Sequence, residues 1–260
     1  MEESLQINTQ MAIRVLAKGG KFLGDDVAGA LVTVRHAVTN ELLASGHVKG
    51  GSGNIYELMI EERNRQEPLP VDGASIFIAN IKSNDCSPIP VILTANGPGA
   101  GLQSMITVSS MQWIVPGLVN PLTKLPVVYN CLLELPGLIV QAMKPATHLN
   151  VTSLPHVINI EVNVAMMCGC PIDNNVIQLN GNTFPNPWPV NDFFVSCEIA
   201  SEGKVIQHIQ LLFDEANSPG RFIGQWTMPT PGFYTANITA YQLSNGNTGC
   251  ATISFFNINQ

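Results

Sequence analysis

The stretch Ile158–Pro171, INIEVNVAMMCGCP, decides how the rest of the chain is read. Ile158, Ile160, Val162 and Val164 alternate with Asn159, Glu161 and Asn163, which is the period of a strand with one buried and one wet face. Carrying that phase forward puts Met166, Cys168 and Cys170 on the apolar side, so both thiols of the C-x-C point the same way. Two uses of inward sulfur are open. Cys168 or Cys170 bridges Cys197 or Cys250 across a sandwich core while the methionines fill space. Alternatively Met166, Met167, Cys168 and Cys170 hold a copper or zinc ion, because thiolate and thioether donors select Cu(I) or Zn(II). A single C-x-C with no second pair and no neighbouring histidine favours the first use.

Outward from this segment the same period recurs. Downstream, strands are predicted at 193–200, 205–213, 221–228, 232–242 and 251–258, with Cys197 in phase with the core through Phe193, Val195 and Ile199. Upstream they are predicted at 11–16, 30–34, 41–45, 56–60, 74–80, 91–95, 104–109, 111–115, 132–135 and 138–142. Gly, Pro and Asn turns separate them, and no segment shows sustained helical spacing. The expected fold class is therefore all-β, as two tandem antiparallel β-sandwich domains. Residues 1–10 carry no pattern and form an N-terminal arm, 11–145 the first sandwich and 157–260 the second. Between them, 146–156 reads as a linker, because Pro145, His148 and Pro155 interrupt any periodicity.

Composition narrows the function. Charged residues are 12% of the 260, against roughly a quarter in an ordinary soluble protein, while hydrophobic residues are 45%. The deficit is filled by Asn, Gln, Ser, Thr, Gly and Pro, a surface suited to an exported or densely assembled protein. A net charge of -7 with only 12 Lys+Arg argues against nucleic acid. No apolar run reaches the roughly 18 residues of a membrane span, and MEESLQINTQ has neither the basic end nor the apolar stretch of a signal peptide. The six cysteines, Cys86, Cys131, Cys168, Cys170, Cys197 and Cys250, suit a few disulfides and are too sparse for a disulfide scaffold.

Two resemblances bear on the halves. Val27–Val34 (VAGALVTV), Thr39–Gly46 (TNELLASG) and then Gly53-Asn54-Ile55-Tyr56 resemble the opening of carboxypeptidase-regulatory-like, or transthyretin-like, sandwiches. The likeness covers about the first sixty residues and departs from the family pattern at Lys49–Gly53. Pro231–Tyr241 (PGFYTANITAY) is similar to the P-G-x-Y strand of immunoglobulin-like modules. That resemblance implies an extracellular, non-catalytic domain.

Catalytic signatures are missing. The sequence has no G-x-S-x-G elbow, no phosphate loop, and no zinc spacing among His36, His47, His148, His156 and His208. Trp188 lies in the proline-rigid FPNPWP and reads either as a sandwich cap or as a binding tip. The expectation is a non-catalytic structural or adhesive protein, extracellular or at the cell surface or in the periplasm, self-associating and without a cofactor. The alternative is a copper- or zinc-handling protein built on the 166–170 cluster.

Overall fold

The computed structural model describes residues 6–217 and 219–257, and they are almost entirely strand. The helical turns among them are no longer than the five residues of Tyr56–Ile60. None is long and apolar enough to cross a membrane. The chain divides into two compact units. The first comprises residues up to Leu135, apart from 59–61 and 101–104; those two short segments join Pro136 onwards in the second.

The first unit contains β1 (Ile7–Ala17), β2 (Leu31–His36), β3 (Leu42–His47), β4 (Lys49–Ser52), β5 (Ala74–Ser83), β6 (Ile89–Gly97), β7 (Ile106–Ile114) and β8 (Val128–Leu135). They form two four-stranded sheets, ordered β4-β5-β1-β8 and β3-β2-β6-β7. Only the β1–β8 pair is parallel within them. Met11, Ile13 and Val15 of β1 are buried, as are Val32 and Val34 of β2 and Val91, Leu93 and Ala95 of β6. These alternating residues make the core between the layers. On one side β3 meets β5 so closely that a side chain at Gly46 would run into the Phe77 ring. On the other, β7 lies beside β8.

The second unit contains β9 (Leu138–Lys144), β10 (His148–Leu149), β11 (His156–Met166), β12 (Ile177–Leu179), β13 (Asn182–Phe184), β14 (Phe193–Ser201), β15 (Lys204–Phe213), β16 (Arg221–Met228), β17 (Gly232–Gln242) and β18 (Thr248–Asn257). Apart from the small β12–β13 hairpin they follow the order β10-β18-β17-β14-β15-β16-β11-β9. β15 makes the corner. Its residues up to Leu211 pair with β14, whereas Leu212 and Phe213 pair with β16, so one strand passes from one layer to the other. The order then curls round until β9 lies against β18. Trp226, Tyr234 and Phe255 pack edge-to-face and stacked in the core between. The Tyr234 hydroxyl donates to the carbonyl of Thr230 at 2.9 Å, pinning the Pro-Gly turn that precedes β17.

Four expectations are corrected. Residues 1–5 of the arm lie outside the described residues, but Ile7–Gln10 already belong to β1, paired with β5 and, at Gln10, with β8. The strand expected at 56–60 is a helical turn, begun where Asn54 Oδ1 accepts the Tyr56 amide at 2.9 Å. The strand Leu138–Lys144, read as the end of the first half, pairs antiparallel with β11. Finally, 146–156 is no free linker. His148 and Leu149 pair with β18, Phe256 N donates to Thr147 O, and Val151 N donates to Asn257 Oδ1. Prolines broke the side-chain pattern there, yet the backbone still found partners on the β18 edge.

Candidate functional site

The C-x-C does not continue β11. The Gly169 amide donates to Met166 O at 2.8 Å and the Met166 amide to Cys170 O at 3.0 Å. With Gly169 at φ 78, this is a three-residue hairpin loop of the turn-plus-bulge kind, Met167-Cys168-Gly169, and the glycine takes the left-handed position that loop requires. Met166, Met167, Cys168 and Cys170 are all buried, and the two sulfurs face each other at 2.8 Å. The expectation of same-side, inward thiols is met by a bulge rather than by strand phase.

No disulfide joins Cys168 or Cys170 to Cys197 or Cys250 in this structure. Cys197 stands opposite Ile238, and Ile238 opposite Ala251, so Cys197 is two strands away from β18, roughly 9–10 Å on sheet spacing. Cys250 is exposed while its neighbour Ala251 is buried, which puts Cys250 on the other face of that sheet. Cys197 and Cys250 are therefore too far apart to be bridged to each other. In the first unit, Cys131 is buried and accepts a hydrogen bond from Gln112 Nε2 at 2.9 Å, while Cys86 is exposed. As to metal, no three His, Cys, Asp or Glu side chains among the described residues gather where an ion could sit. A tetrahedral zinc with bonds of about 2.3 Å would hold two thiolates roughly 3.8 Å apart, farther than Cys168 and Cys170 stand.

Burial pushes the Cys197 thiol up to about 12, with Glu198 adding repulsion, and burial also raises that of Cys131 against the hydrogen bond from Gln112. Both folded-state values lie above the ordinary 9.0. As pH rises past about 9, the unfolded chain therefore sheds protons that the folded chain keeps, and stability falls. The urea midpoint is expected to decline steadily from pH 9 towards 11, and less so in Cys197→Ala. A midpoint flat over that range in the parent chain contradicts this. Native alkylation at pH 8 reaches Cys86 and Cys250 before Cys131 or Cys197.

Trp188 is 2% exposed. Its amide donates to Asn186 Oδ1 at 2.9 Å, and its carbonyl accepts from Asp173. It is the cap of the FPNPWP loop and offers no binding tip. The tryptophan at the surface is Trp113, 58% exposed on β7. β7 ends the order of its sheet, and over nine residues, ITVSSMQWI, it has no charge, proline or glycine. The hairpin that follows is ordered. Asn120 Oδ1 accepts the amides of Leu122 and Thr123, Asn120 N donates to Leu125 O, and Val127 N donates to Leu118 O. That hairpin holds Leu118, Val119, Leu125 and Leu122 in water, the last 90% exposed. Met111 and Val128, at either end of this stretch, are exposed as well. No acidic, basic or histidine residue occurs between Asp85 and Lys124. That gap in the charge pattern is the signal that could have found this surface from sequence.

In the second unit, Asn159, Glu161, Asp214, Asn217, Arg221 and Gln225 line a cleft of about 550 Å³ over β11, β15 and β16. The buried Glu161 accepts from Lys144 Nζ at 2.6 Å through Oε1, and from Arg221 through Oε2. Asp214 Oδ2 lies 3.5 Å from Arg221 Nε. Two acids thus meet two bases, and the cluster is balanced internally. His36 serves its turn, where Nδ1 accepts the amides of Val38 and Thr39.

No protein-family model matches the chain, and no curated protein matches it. Among solved structures, fibronectin(III)-like modules of Clostridium thermocellum CbhA align over 98% of this chain and 94% of theirs, at 10% identity and a TM-score of 0.28. The tip fimbrial protein Mfa3 of Porphyromonas gingivalis, with a C-terminal truncation, aligns over 95% of this chain and 81% of its own, also at 10% identity and 0.28. Likeness at that level assigns no fold family, and the functional reading rests on the chain's own geometry.

Proposed function

We propose that this protein is a structural or adhesive β module of the cell exterior that assembles with copies of itself through the β7 edge and the apolar hairpin after it. The carrying observation is the combination of an uncharged, nine-residue terminal strand with four aliphatic side chains held in water by an ordered turn. Edge strands of monomeric proteins are shortened, bulged or charged, because a long uncharged edge invites pairing with another chain. Exposed apolar surface of this kind marks an interaction site. A second copy fits it best. The protein carries a net -7, so two copies repel over most of their surface, and residues 86–123 are where they meet without charge. The low overall charge, 12% of residues, supports a role outside the cytoplasm. Multi-angle light scattering across a concentration series is expected to show a mass that grows with concentration. Met111→Lys with Trp113→Lys, both on the exposed face of β7, should weaken association by at least about tenfold. A parent chain that stays monomeric at the highest concentrations, or an association indifferent to both lysines, sinks the reading.

A further inference from the structure

We propose that Cys168 and Cys170 are a redox pair that closes into a disulfide inside their own hairpin when it meets a small hydroperoxide. Three features carry this. The sulfurs stand 2.8 Å apart, well inside ordinary non-bonded contact for two sulfur atoms. The backbone bonds Gly169 N to Met166 O and Met166 N to Cys170 O hold them there, so closure needs no rearrangement of the strand. Third, Cys197 lies on β14 and Cys250 is exposed on the far face of its sheet, whereas the sulfur that stands against each member of the pair is the other's.

Burial selects the oxidant. Cys168 is 2% exposed and Cys170 8%, which bars a bulky disulfide reagent but admits a molecule the size of hydrogen peroxide at Cys170. The Cys170 sulfur attacks the O–O bond. An S–O bond forms, the O–O bond breaks, the thiol proton leaves with the departing oxygen as water or alcohol, and sulfur loses two electrons to the peroxide. The Cys168 sulfur then attacks the sulfenic sulfur of Cys170. An S–S bond forms, the S–O bond breaks, and hydroxide leaves with the Cys168 proton as water. In sum, two thiols and one hydroperoxide give one disulfide, one water, and one alcohol or second water. The bridge would fix the arm that runs to Ile172, whose carbonyl accepts the Gly220 amide while Gly220 O accepts that of Val164. Oxidation therefore stiffens the loop between β11 and the arm that carries Ile172.

The test uses the full chain, treated with hydrogen peroxide while folded, quenched, unfolded and alkylated. The expected intact mass before alkylation falls by about 2 Da, and two fewer thiols take label. Peptide mapping places the link between Cys168 and Cys170, and dithiothreitol restores both. In Cys168→Ser the link is lost, and the peptide bearing Cys170 instead gains a single oxygen. Circular dichroism confirms that this variant is folded; if it is not, Cys170→Ala supplies the same comparison, with no loss of two thiols. Full labelling of both cysteines after peroxide, a link from either to another cysteine, or loss of two thiols in the serine variant overturns the proposal. Association through β7 is read separately by light scattering, so either result stands or falls alone.

Discussion

Gly249→Val lowers the stability of the second unit by more than about 3 kcal/mol. A Cβ at Gly249 would sit 2.4 Å from the carbonyl oxygen of Leu138 and 2.8 Å from Val140 Cγ2. The first of these is backbone, so a rotamer change cannot relieve it. β9 and β18 therefore approach here as only a glycine allows, and the layers close on each other at this line. The same seam is tied by polar groups. Gly137 N donates to Asn247 Oδ1, Val140 N to Ser104 Oγ, and Thr252 N to Gln103 Oε1. Asn247 is fully buried and donates in turn to Gln242. Gly203→Ala is the control. Gly203 has φ 75 and nothing within 4 Å of its missing Cβ, so alanine there meets only the left-handed backbone penalty of about 1 kcal/mol. Urea midpoints of the two variants separate clash from conformation. Equal losses would show that β9 does not press on β18.

That seam explains what the sequence could and could not disclose. The alternation in Ile158–Val164 and in Phe193–Ile199 is set by one strand's own two faces, and it was legible because burial acts residue by residue. Where Leu138–Lys144 pairs is a long-range matter. Nothing in LIVQAMK distinguishes an end to the first unit from a beginning to the second; the choice is made by β11 and by Gly249, over a hundred residues on. The thiol pair is legible as inward sulfur, and what strand phase does not disclose is the turn that brings the two together. Strand phase stops at Gly169, because a glycine between two cysteines at a strand end equally marks a bulged turn. The prolines around Trp188 draw the eye to it, while the signal at Trp113 lies in the charges missing around it. The proline-rich neighbour tucks its ring inward, and the tryptophan in the charge-free run is the one left outside.

Glu161→Ala is expected to cost about 2–4 kcal/mol, although Glu161 lies among the outward-reading residues of β11. The reason is the cover above it. β9 carries a register shift opposite Glu161 and Val162, pairing Glu161 with Lys144 and Val162 with Ala142, so Met143 is the extra residue and the bulge aims Lys144 at the carboxylate. Arg221 closes from β16. The result is an acid that is 7% exposed with a base on each oxygen. Removing it has unequal consequences for the two bases. Lys144, with 54% of its side chain exposed, returns to water at little cost. Arg221, at 24%, keeps only the 3.5 Å contact to Asp214, and its Nε is buried without a hydrogen bond. The loss therefore falls chiefly on the Arg221 pair. Lys144→Ala should cost under about 1 kcal/mol, and Arg221→Ala nearly as much as Glu161→Ala. A double-mutant cycle should return a coupling of more than about 1 kcal/mol between Glu161 and Arg221, against a few tenths between Glu161 and Lys144. Comparable couplings for the two pairs would mean that the exposed lysine and the covered arginine meet the carboxylate on equal terms, and that burial of the acid is not what gives this cluster its strength.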